Sequence, residues 1–266
     1  MSRIVRVAVL GACGKMGREV VKAVHAEPDM EMVGACDISC VGKPIGEIVG
    51  IPEIAVPVMG DLGEMLGRAK PDVVVDFAKP FSMENTRYAM RNGVVPVIGT
   101  TGQTADELSE LEELARKTGC GVMVIPNFAV GAVLMMKFAA EAAGYMPSAE
   151  IIELHHDMKD DAPSGTSIKT AEMIDRARSE ANVDAPAPAG PNGHPARGDA
   201  HSRVQIHSVR LPGLVAHQEV LFGGKGQLLT IRHDSLDRTS FMPGVLLAVR
   251  RATDVQGFIY GLDKLL

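Results

Sequence analysis

Cysteine and aromatic side chains are scarce in this sequence of 266 residues, and positive charges are fewer than negative ones. The four cysteines form no CxxC pair and are too few for a disulfide framework, so a reduced, cytoplasmic compartment is expected. Aromatic residues make up 4% with no Trp, and the formal net charge is −6, so binding of nucleic acid is disfavoured. No uncharged apolar run reaches the length of a membrane span, so we expect no membrane partner.

The remaining composition is that of a folded globular chain. Apolar residues make up 46% and charged residues 23%. At about 150 residues per domain, this length predicts one large domain or two smaller ones. The apolar stretch near the N-terminus is short and alternating, and glycines follow it at positions 11, 14 and 17. It therefore predicts a first β-strand and not a signal peptide.

Strand and helix periodicities alternate over the first half of the chain. Short β-branched or apolar runs predict strands at 4–10, 31–36, 72–77, 94–98 and 121–125. Apolar residues at helical spacing predict helices at 15–26, 62–66, 81–91 and 105–117. This alternation indicates βαβ units and thus a Rossmann-like, doubly wound parallel sheet.

The pattern changes after Asn127. The second half is expected to contain helices at 129–143, 165–178 and 239–253 and strands at 149–156, 204–209, 215–222 and 227–233. Residues 181–199 hold four prolines and three glycines and predict a long loop, to which the sequence assigns no role. Neighbouring strands with short turns predict a second, α+β domain with a mixed or antiparallel sheet. We place the boundary between the two domains at residues 127 and 128.

A glycine-rich segment, GACGKMG, directly follows the first predicted strand and opens the first helix. Gly11, Gly14 and Gly17 suit the binding of a dinucleotide pyrophosphate, which needs backbone N–H groups and no obstructing Cβ. Cys13 occupies the usual position of a second glycine, so the spacing alone is a weak signal. Asp37 ends the next strand, where a carboxylate is expected to bind ribose hydroxyls. The alternative is a structural turn without a ligand, with Asp37 as its cap.

The residues after Asp37 bear on the choice between NADH and NADPH. A 2′-phosphate is usually met by a nearby arginine, but Ile38 follows Asp37 here and the nearest cation is Lys43. The sequence therefore favours NADH.

Two further loops follow strands of the predicted sheet on the same edge. Their residues are Gly99, Thr100, Thr101 and Gly102 in one loop, and Pro126, Asn127 and Phe128 after Ile125 in the other. Because ligands of open parallel sheets bind beyond the carboxyl ends of the strands, both loops are candidates for the nicotinamide side of a dinucleotide. Ordinary turn chemistry is the alternative for each loop.

The segment HHDMKDDAPSGT at 155–166 concentrates ionisable side chains. His155, His156 and Lys159 are candidate proton donors, whereas adjacent histidines without a third ligand at standard spacing give poor evidence for a metal, and none is predicted. Gly165 and Thr166 open a predicted helix, whose N-terminus suits a carboxylate. Two solvated histidines and an ion-paired lysine are the alternative. The combination predicts an anionic, carboxylated substrate.

Taken together, five segments resemble the 4-hydroxy-tetrahydrodipicolinate reductase (dihydrodipicolinate reductase) family. These segments are GACGKMG, DFAKP at 76–80, GTTG at 99–102, PNF at 126–128 and HHDMKDDAPSGT. The resemblance implies a reduction with NADH or NADPH in lysine and diaminopimelate biosynthesis, acting on a cyclic dicarboxylate. It also implies a cytoplasmic homotetramer, a second domain for substrate binding and oligomerisation (128–236), and a return of residues 237–266 to the dinucleotide-binding domain (1–127).

The resemblance also implies roles for individual residues. The pyrophosphate and ribose would be held by Gly11, Ala12, Cys13, Gly14, Lys15, Met16 and Asp37. The nicotinamide side would be lined by Gly99, Thr100, Thr101, Ile125, Pro126, Asn127 and Phe128. Proton donors would be His155 and Lys159, and substrate contacts His156, Gly165 and Thr166. His217 receives no role, because VAHQEV at 215–220 differs from the pattern common in the family.

Two other functions compete with this interpretation. A different dehydrogenase on the same scaffold would explain the glycine-rich segment and Asp37 but not HHDMKDDAPSGT. A dinucleotide-sensing protein without turnover is the second, and the acidic net charge disfavours a DNA-binding form of it.

Overall fold

The structure of the chain, a computed structural model, describes residues 3–184 and 197–266. It consists of two compact units, one of Met1–Phe128 together with Phe241–Leu266 and one of Ala129–Ser240. None of the helices in the described ranges is both long and apolar enough to cross a membrane.

The first unit is a seven-stranded parallel sheet with helices. Its strands are β1 (Val5–Leu10), β2 (Met30–Cys36), β3 (Val58–Met59), β4 (Val73–Asp76), β5 (Val95–Ile98), β6 (Val122–Val124) and β12 (Phe258–Tyr260). Its helices are α1 (Lys15–Ala26), α2 (Ile45–Val49), α3 (Leu62–Ala69), α4 (Met83–Arg91), α5 (Ala105–Thr118) and α8 (Met242–Ala252). The strand order is β12-β6-β5-β4-β1-β2-β3, and every pair is parallel.

This strand order fixes where a ligand can bind. The chain runs outwards from β1 to β2 and β3, and then crosses to β4 on the other side of β1. The order therefore reverses at β1, and such a switch point opens a crevice beyond the carboxyl ends of the strands. All four residues of β4 are buried, as expected of a strand covered by helices on both faces. The predicted doubly wound sheet is confirmed.

Three short elements of this unit were not predicted. Helix α2 and strand β3 lie in a stretch rich in glycine and proline, and β12 has only three residues. The predicted helix at 239–253 begins instead with a 3-10 turn, Arg238–Phe241, and its α-helical part starts at Met242 with Pro243 in the first turn. Proline suits that position because its missing N–H has no helical partner there.

The second unit is a five-stranded mixed sheet with two helices. Its strands are β7 (Ser148–His155), β8 (Asp199–His201), β9 (Val204–Arg210), β10 (Ala216–Gly224) and β11 (Gln227–Ser235). Its helices are α6 (Val130–Ala143) and α7 (Gly165–Glu180). The order is β11-β10-β7-β9-β8, in which only β7 and β9 pair in parallel. The prediction of an α+β unit with a mixed sheet is confirmed.

The two helices share a core with one face of this sheet. Buried Ile151, Ile206 and Phe222 of the sheet pack against apolar residues of α6 and α7, among them Ala139 and Ile174.

Several boundaries in the second unit differ from the sequence prediction by one or two residues. The predicted loop at 181–199 is wrong at its end, because Asp199 begins β8; residues 185–196 lie outside the described ranges. The predicted strand at 149–156 is wrong at His156, since β7 ends at His155, whose carbonyl accepts a hydrogen bond from Leu211 N–H (3.1 Å).

Candidate functional site

The glycine-rich segment forms a tight turn between β1 and α1. The N–H of Gly11 donates to the carbonyl of Cys36 at 2.8 Å, and Gly11 has a φ of +76°, which glycine adopts without strain. A Cβ at Gly11 would lie 2.8 Å from the backbone nitrogen of Ala78, which follows β4. A Cβ at Gly17 would overlap the carbonyl oxygen of Gly11. Both glycines therefore allow backbone segments to approach more closely than any other residue would.

The start of α1 is suited to an anion. Its cap is Gly14, which has no side chain to cover the helix end, and no acidic residue lies in the first turn. Lys15, the first helical residue, is exposed. The positive end of the helix dipole and outward-pointing N–H groups are the arrangement that binds phosphate.

Asp37 joins the glycine-rich segment to the end of β2. Its Oδ2 accepts from the N–H of Cys13 at 2.9 Å, and its Oδ1 accepts from the N–H of Ser39 at 2.8 Å. Asp37 therefore caps this turn, which the sequence offered as the alternative to ribose binding. A carboxylate has about four acceptor sites, so two of them remain for ribose hydroxyls.

Cys13 and Asp76 are among the buried groups of this unit that have raised pKa values. Burial, with the nearby Asp37 carboxylate and Cys40 thiol, raises the pKa of Cys13 to about 12, so its thiol stays protonated and behaves as a small packing group. Burial likewise raises the pKa of Asp76, at the end of β4, to about 6, although its carboxylate accepts from the N–H of Ala78 at 2.8 Å.

Contacts of Gly99 and Thr100 with neighbouring segments hold the loop after β5 in place. The hydroxyl of Thr100 is buried and donates to the carbonyl of Ala78 at 2.7 Å. Gly99 lies against the rings of Phe77 and Phe128, whose centroids are 5.6 Å apart. A Cβ at Gly99 would overlap both rings. Thr101, by contrast, is exposed. The hydroxyl of Thr100 therefore shapes the loop, and Thr101 is accessible to a ligand.

The segment after β6 places its apolar side chains in the core. Ile125 and Phe128 are buried, and the N–H of Ile125 donates to the carbonyl of Ile98 at 2.8 Å. Pro126 is exposed, and Asn127 is partly buried. Of the predicted residues here, Ile125 and Phe128 can meet a cofactor through backbone atoms only.

In the second unit, His155 lies at the end of β7 beside a buried carboxylate. Glu153 has 0% of its surface exposed and contacts Nδ1 of His155 through Oε2. Its Oε1 accepts from the guanidinium of Arg210 at 2.8 Å. Burial raises the pKa of Glu153, but hydrogen bonds from His155, Arg210 and Ser208 outweigh it and lower that pKa to about 2. The carboxylate is therefore ionised at neutral pH.

The loop after His155 carries the other candidate acid. Nζ of Lys159 donates to Oδ1 of Asp161 at 2.6 Å, which lowers the pKa of Asp161. Arg210 donates to the carbonyls of Lys159 (3.3 Å) and Asp161 (2.6 Å), so one guanidinium holds this loop at two points. His156 is exposed.

Helix α7 begins directly after this loop. Ser164 caps it, with Oγ accepting from the N–H of Ser167 at 3.2 Å. Gly165 is exposed, and a Cβ there would meet nothing within 4 Å, so the first turn is open to a ligand. Thr166 follows it and is partly buried. These two residues stand where the N-terminal N–H groups of a helix bind a carboxylate.

A buried amide ties this helix to the sheet. Oε1 of Gln218 accepts from the hydroxyl of Ser167 at 2.9 Å, and its Nε2 donates to Oγ1 of Thr170 at 2.8 Å. His217, which received no role from the sequence pattern, is held by Asp234 (2.6 Å).

The predicted substrate residues thus share one segment of the second unit, and the predicted cofactor residues surround the switch point of the first. Sequence reasoning missed Glu153, Arg210 and Gln218. The period of two along a strand could have revealed Glu153, because residues 153 and 155 share a face. Over residues 3–184 and 197–266, no cluster of three or more His, Cys, Asp or Glu side chains is placed to hold a metal ion.

Comparisons with known proteins agree across the chain. Residues 5–128 match the family model described as dihydrodipicolinate reductase, N-terminus, and residues 131–266 the one described as dihydrodipicolinate reductase, C-terminus. The chain is 50% identical to 4-hydroxy-tetrahydrodipicolinate reductase of Syntrophomonas wolfei, with 100% of both chains covered. It is 53% identical to the enzyme of that name from Listeria monocytogenes, with 98% of this chain and 99% of the relative covered.

A solved structure resembles both units. It is the dipicolinate-bound dihydrodipicolinate reductase from Paenisporosarcina sp. TG-14, with a TM-score of 0.86 at 45% identity over 99% of this chain and 100% of the other. An amine dehydrogenase from Mycobacterium smegmatis, at 14% identity and a TM-score of 0.68, shares the fold alone. Because family models and full-length relatives agree, the chain belongs to the dihydrodipicolinate reductase family.

Proposed function

We propose that this chain reduces 4-hydroxy-tetrahydrodipicolinate to tetrahydrodipicolinate with loss of water, in lysine and diaminopimelate biosynthesis. The observation that carries the proposal is the segment from His155 to Thr166, in which two candidate acids precede an open helix N-terminus. Relatives of the same name over the full length support it. The related reductase from Paenisporosarcina sp. TG-14 is bound to dipicolinate, which supports a small cyclic dicarboxylate as the ligand.

In this proposal, the dinucleotide binds to the first unit. When bound, a reduced nicotinamide supplies a hydride, here to C4 of the substrate. The glycine cap of α1 fits a pyrophosphate because no side chain covers the helix end. The spare acceptor sites of Asp37 fit the ribose, and Ile38, which is 93% exposed, provides no charge for a 2′-phosphate. These features favour NADH over NADPH.

In the same proposal, the substrate binds to the second unit. His155 or Lys159 gives a proton as the 4-hydroxyl leaves as water. One substrate carboxylate lies at Gly165 and Thr166, and His156, which is exposed on the same segment, contacts the substrate. The arrangement supplies cationic and N–H groups on one segment, as a dianionic ligand requires.

A homotetramer is the assembly we propose. Ile152, Leu154 and Leu221 face away from α6 and α7, because their neighbours along each strand point into the core. Val209 and Leu228 share that face and are 36% and 69% exposed. No helix in the described part of the second unit covers these residues, and an exposed apolar sheet face is typical of a subunit interface. Light scattering after gel filtration should give four times the mass of one chain.

The activity is tested with the purified chain and freshly prepared substrate. Oxidation of NADH or NADPH, followed by absorbance, should require substrate, and the specificity constant with NADH should exceed that with NADPH. Dipicolinate should inhibit competitively with the substrate. Binding of the dinucleotide without any turnover would instead favour a sensor.

A further inference from the structure

Glu153 is a buried charged residue that the proposed reaction does not use. It lies on β7, two residues before His155, and none of its surface is exposed. An ionised carboxylate in such a position is costly unless hydrogen bonds and opposite charge compensate it. The residues that compensate the charge of Glu153 therefore indicate what this carboxylate does.

Those partners come from its own strand and from β9. In the register of the sheet, Glu153 lies opposite Ser208 and His155 lies opposite Arg210. Glu153 contacts Nδ1 of His155 and accepts from Arg210, and a hydrogen bond from Ser208 further stabilises its charge.

The other neighbouring strand, β10, adds no charge. On β10, Gln218 lies opposite Glu153, but its amide is engaged by Ser167 and Thr170 of α7. Among the described residues with a hydrogen bond or ion pair to this carboxylate, His155 and Arg210 are the charged or titratable ones.

Arg210 connects the same carboxylate to the second candidate acid. Its Nη2 donates to Glu153 and to the carbonyl of Asp161, and its Nε donates to the carbonyl of Lys159. The planar fork of arginine allows these bonds to form simultaneously, which an ammonium group could not reproduce. Glu153 and Arg210 thus form one unit that contacts both His155 and the loop of Lys159.

We infer that both are positioning residues for proton transfer: Glu153 orients His155, and Arg210 holds the loop of Lys159. The carboxylate keeps the proton on Nδ1 of His155, so Nε2 is the nitrogen that exchanges a proton with the substrate. When the imidazolium donates, the Nε2–H bond breaks, its electron pair stays on Nε2, and Nδ1–H remains bonded to Glu153. The inference rests on the proposed function, since it requires His155 to act as an acid.

The first test is Glu153→Gln, which keeps the shape and removes the charge. We expect kcat to fall about 10- to 100-fold, as when the group that orients a catalytic acid is lost, while KM changes by less than about threefold. The pH dependence of kcat should also differ from that of the wild type, because the charge beside the imidazole is lost. An unchanged kcat and pH profile would overturn the inference.

The matched control is Glu150→Gln on the same strand. Glu150 also pairs with a histidine of β9, through Oε2 and Nε2 of His207 at 2.7 Å, but it does not contact His155. We expect kcat and the pH profile of this variant to match the wild type. An equal loss in the control would mean that any Glu–His pair of this sheet supports activity through structure alone, which contradicts the inference.

A double-mutant cycle separates this inference from the proposed function. Where His155→Gln lowers kcat, adding Glu153→Gln should lower it by less than about threefold more, because the carboxylate acts through the imidazole. A full further loss in that background would contradict the inference. If His155→Gln alone leaves kcat unchanged, the assignment of His155 in the proposed function fails instead.

A second variant keeps the test decisive if Glu153→Gln does not fold. Arg210→Lys retains a positive charge beside Glu153 but lacks the fork that reaches the carbonyls of Lys159 and Asp161. We expect kcat to fall about tenfold, with a circular dichroism spectrum like that of the wild type. A wild-type kcat in folded Arg210→Lys would exclude the guanidinium as a positioning group.

Discussion

The two units of this chain offer their ligands different kinds of groups. Around the switch point of the first unit, the glycine-rich segment offers backbone N–H groups and Asp37 its carboxylate, while side chains such as Thr100 and Phe128 are buried and shape the loops. In the second unit, the predicted residues His155, His156 and Lys159 present side chains, and a buried ion pair holds two of them. We infer from this comparison that the first unit binds its ligand mainly through backbone groups and that the second reacts through side chains.

The largest expected effect is that of Lys159→Ala. Loss of a candidate general acid should lower kcat by about 10²- to 10⁴-fold. Stopped-flow and steady-state assays with NADH measure this change. Lys169→Ala is the control, since Lys169 lies on α7 in an exposed pair with Glu172. Near-wild-type turnover of Lys159→Ala would mean that the second unit does not react through this side chain.

Titration of Asp76 tests whether a buried charge in the first unit limits stability. Because the folded state raises its pKa from 3.8 to about 6, the stabilisation from its bound proton is complete below about pH 4 and is lost as the pH rises through 6. The shift corresponds to ~3 kcal/mol. Asp76→Asn should remove this loss, so its free energy of unfolding by urea should exceed that of the wild type at pH 8.

The control for this comparison is Asp254→Asn, at an exposed turn after α8. It should leave the difference in unfolding free energy between pH 4 and pH 8 as in the wild type. A wild-type pH dependence in Asp76→Asn would exclude Asp76 as its source.

Gly17→Ala tests whether the first unit binds through its backbone. Alanine normally favours a helix interior, but this Cβ would overlap the carbonyl oxygen of Gly11 and displace the glycine-rich turn. We expect the Kd of NADH to rise at least about tenfold, equivalent to ~1.4 kcal/mol, measured by fluorescence titration. Gly67→Ala, in α3 with nothing near its Cβ, is the control and should leave the Kd unchanged.

The smallest expected effect is that of Asp37→Asn. The amide oxygen can replace one carboxylate acceptor for Cys13 or Ser39, but the charge that would meet the ribose hydroxyls is lost. We expect the Kd of NADH to rise by a few-fold up to about tenfold, and the Kd of NADPH to rise less. Calorimetric titration with both dinucleotides checks this. Equal losses for both would favour a purely capping role.

Much of this architecture could be predicted from the sequence, because it follows from local periodicity. The continuous apolar run before Phe77 predicted a buried strand, and the glycine spacing predicted the turn into α1. Helix α2 and strands β3 and β12 escaped prediction because each is short and is stabilised by tertiary contacts more than by its own pattern.

The candidate site was predictable only in part. His155 and Lys159 stand out as neighbours in the sequence, whereas Arg210 lies more than 50 residues away and meets them only through the parallel pairing of β7 and β9. The capping bonds of Asp37 could be named as an alternative but not decided, since they depend on where Cys13 and Ser39 lie in three dimensions.

The central claim is that the first unit binds the dinucleotide and the second supplies the proton donors. It is tested most directly by NADH binding to the double variant His155→Gln/Lys159→Ala. Our account predicts a Kd within about twofold of the wild type, together with loss of turnover, because the dinucleotide is bound by the first unit alone. A Kd that rises in proportion to the loss of turnover would contradict it.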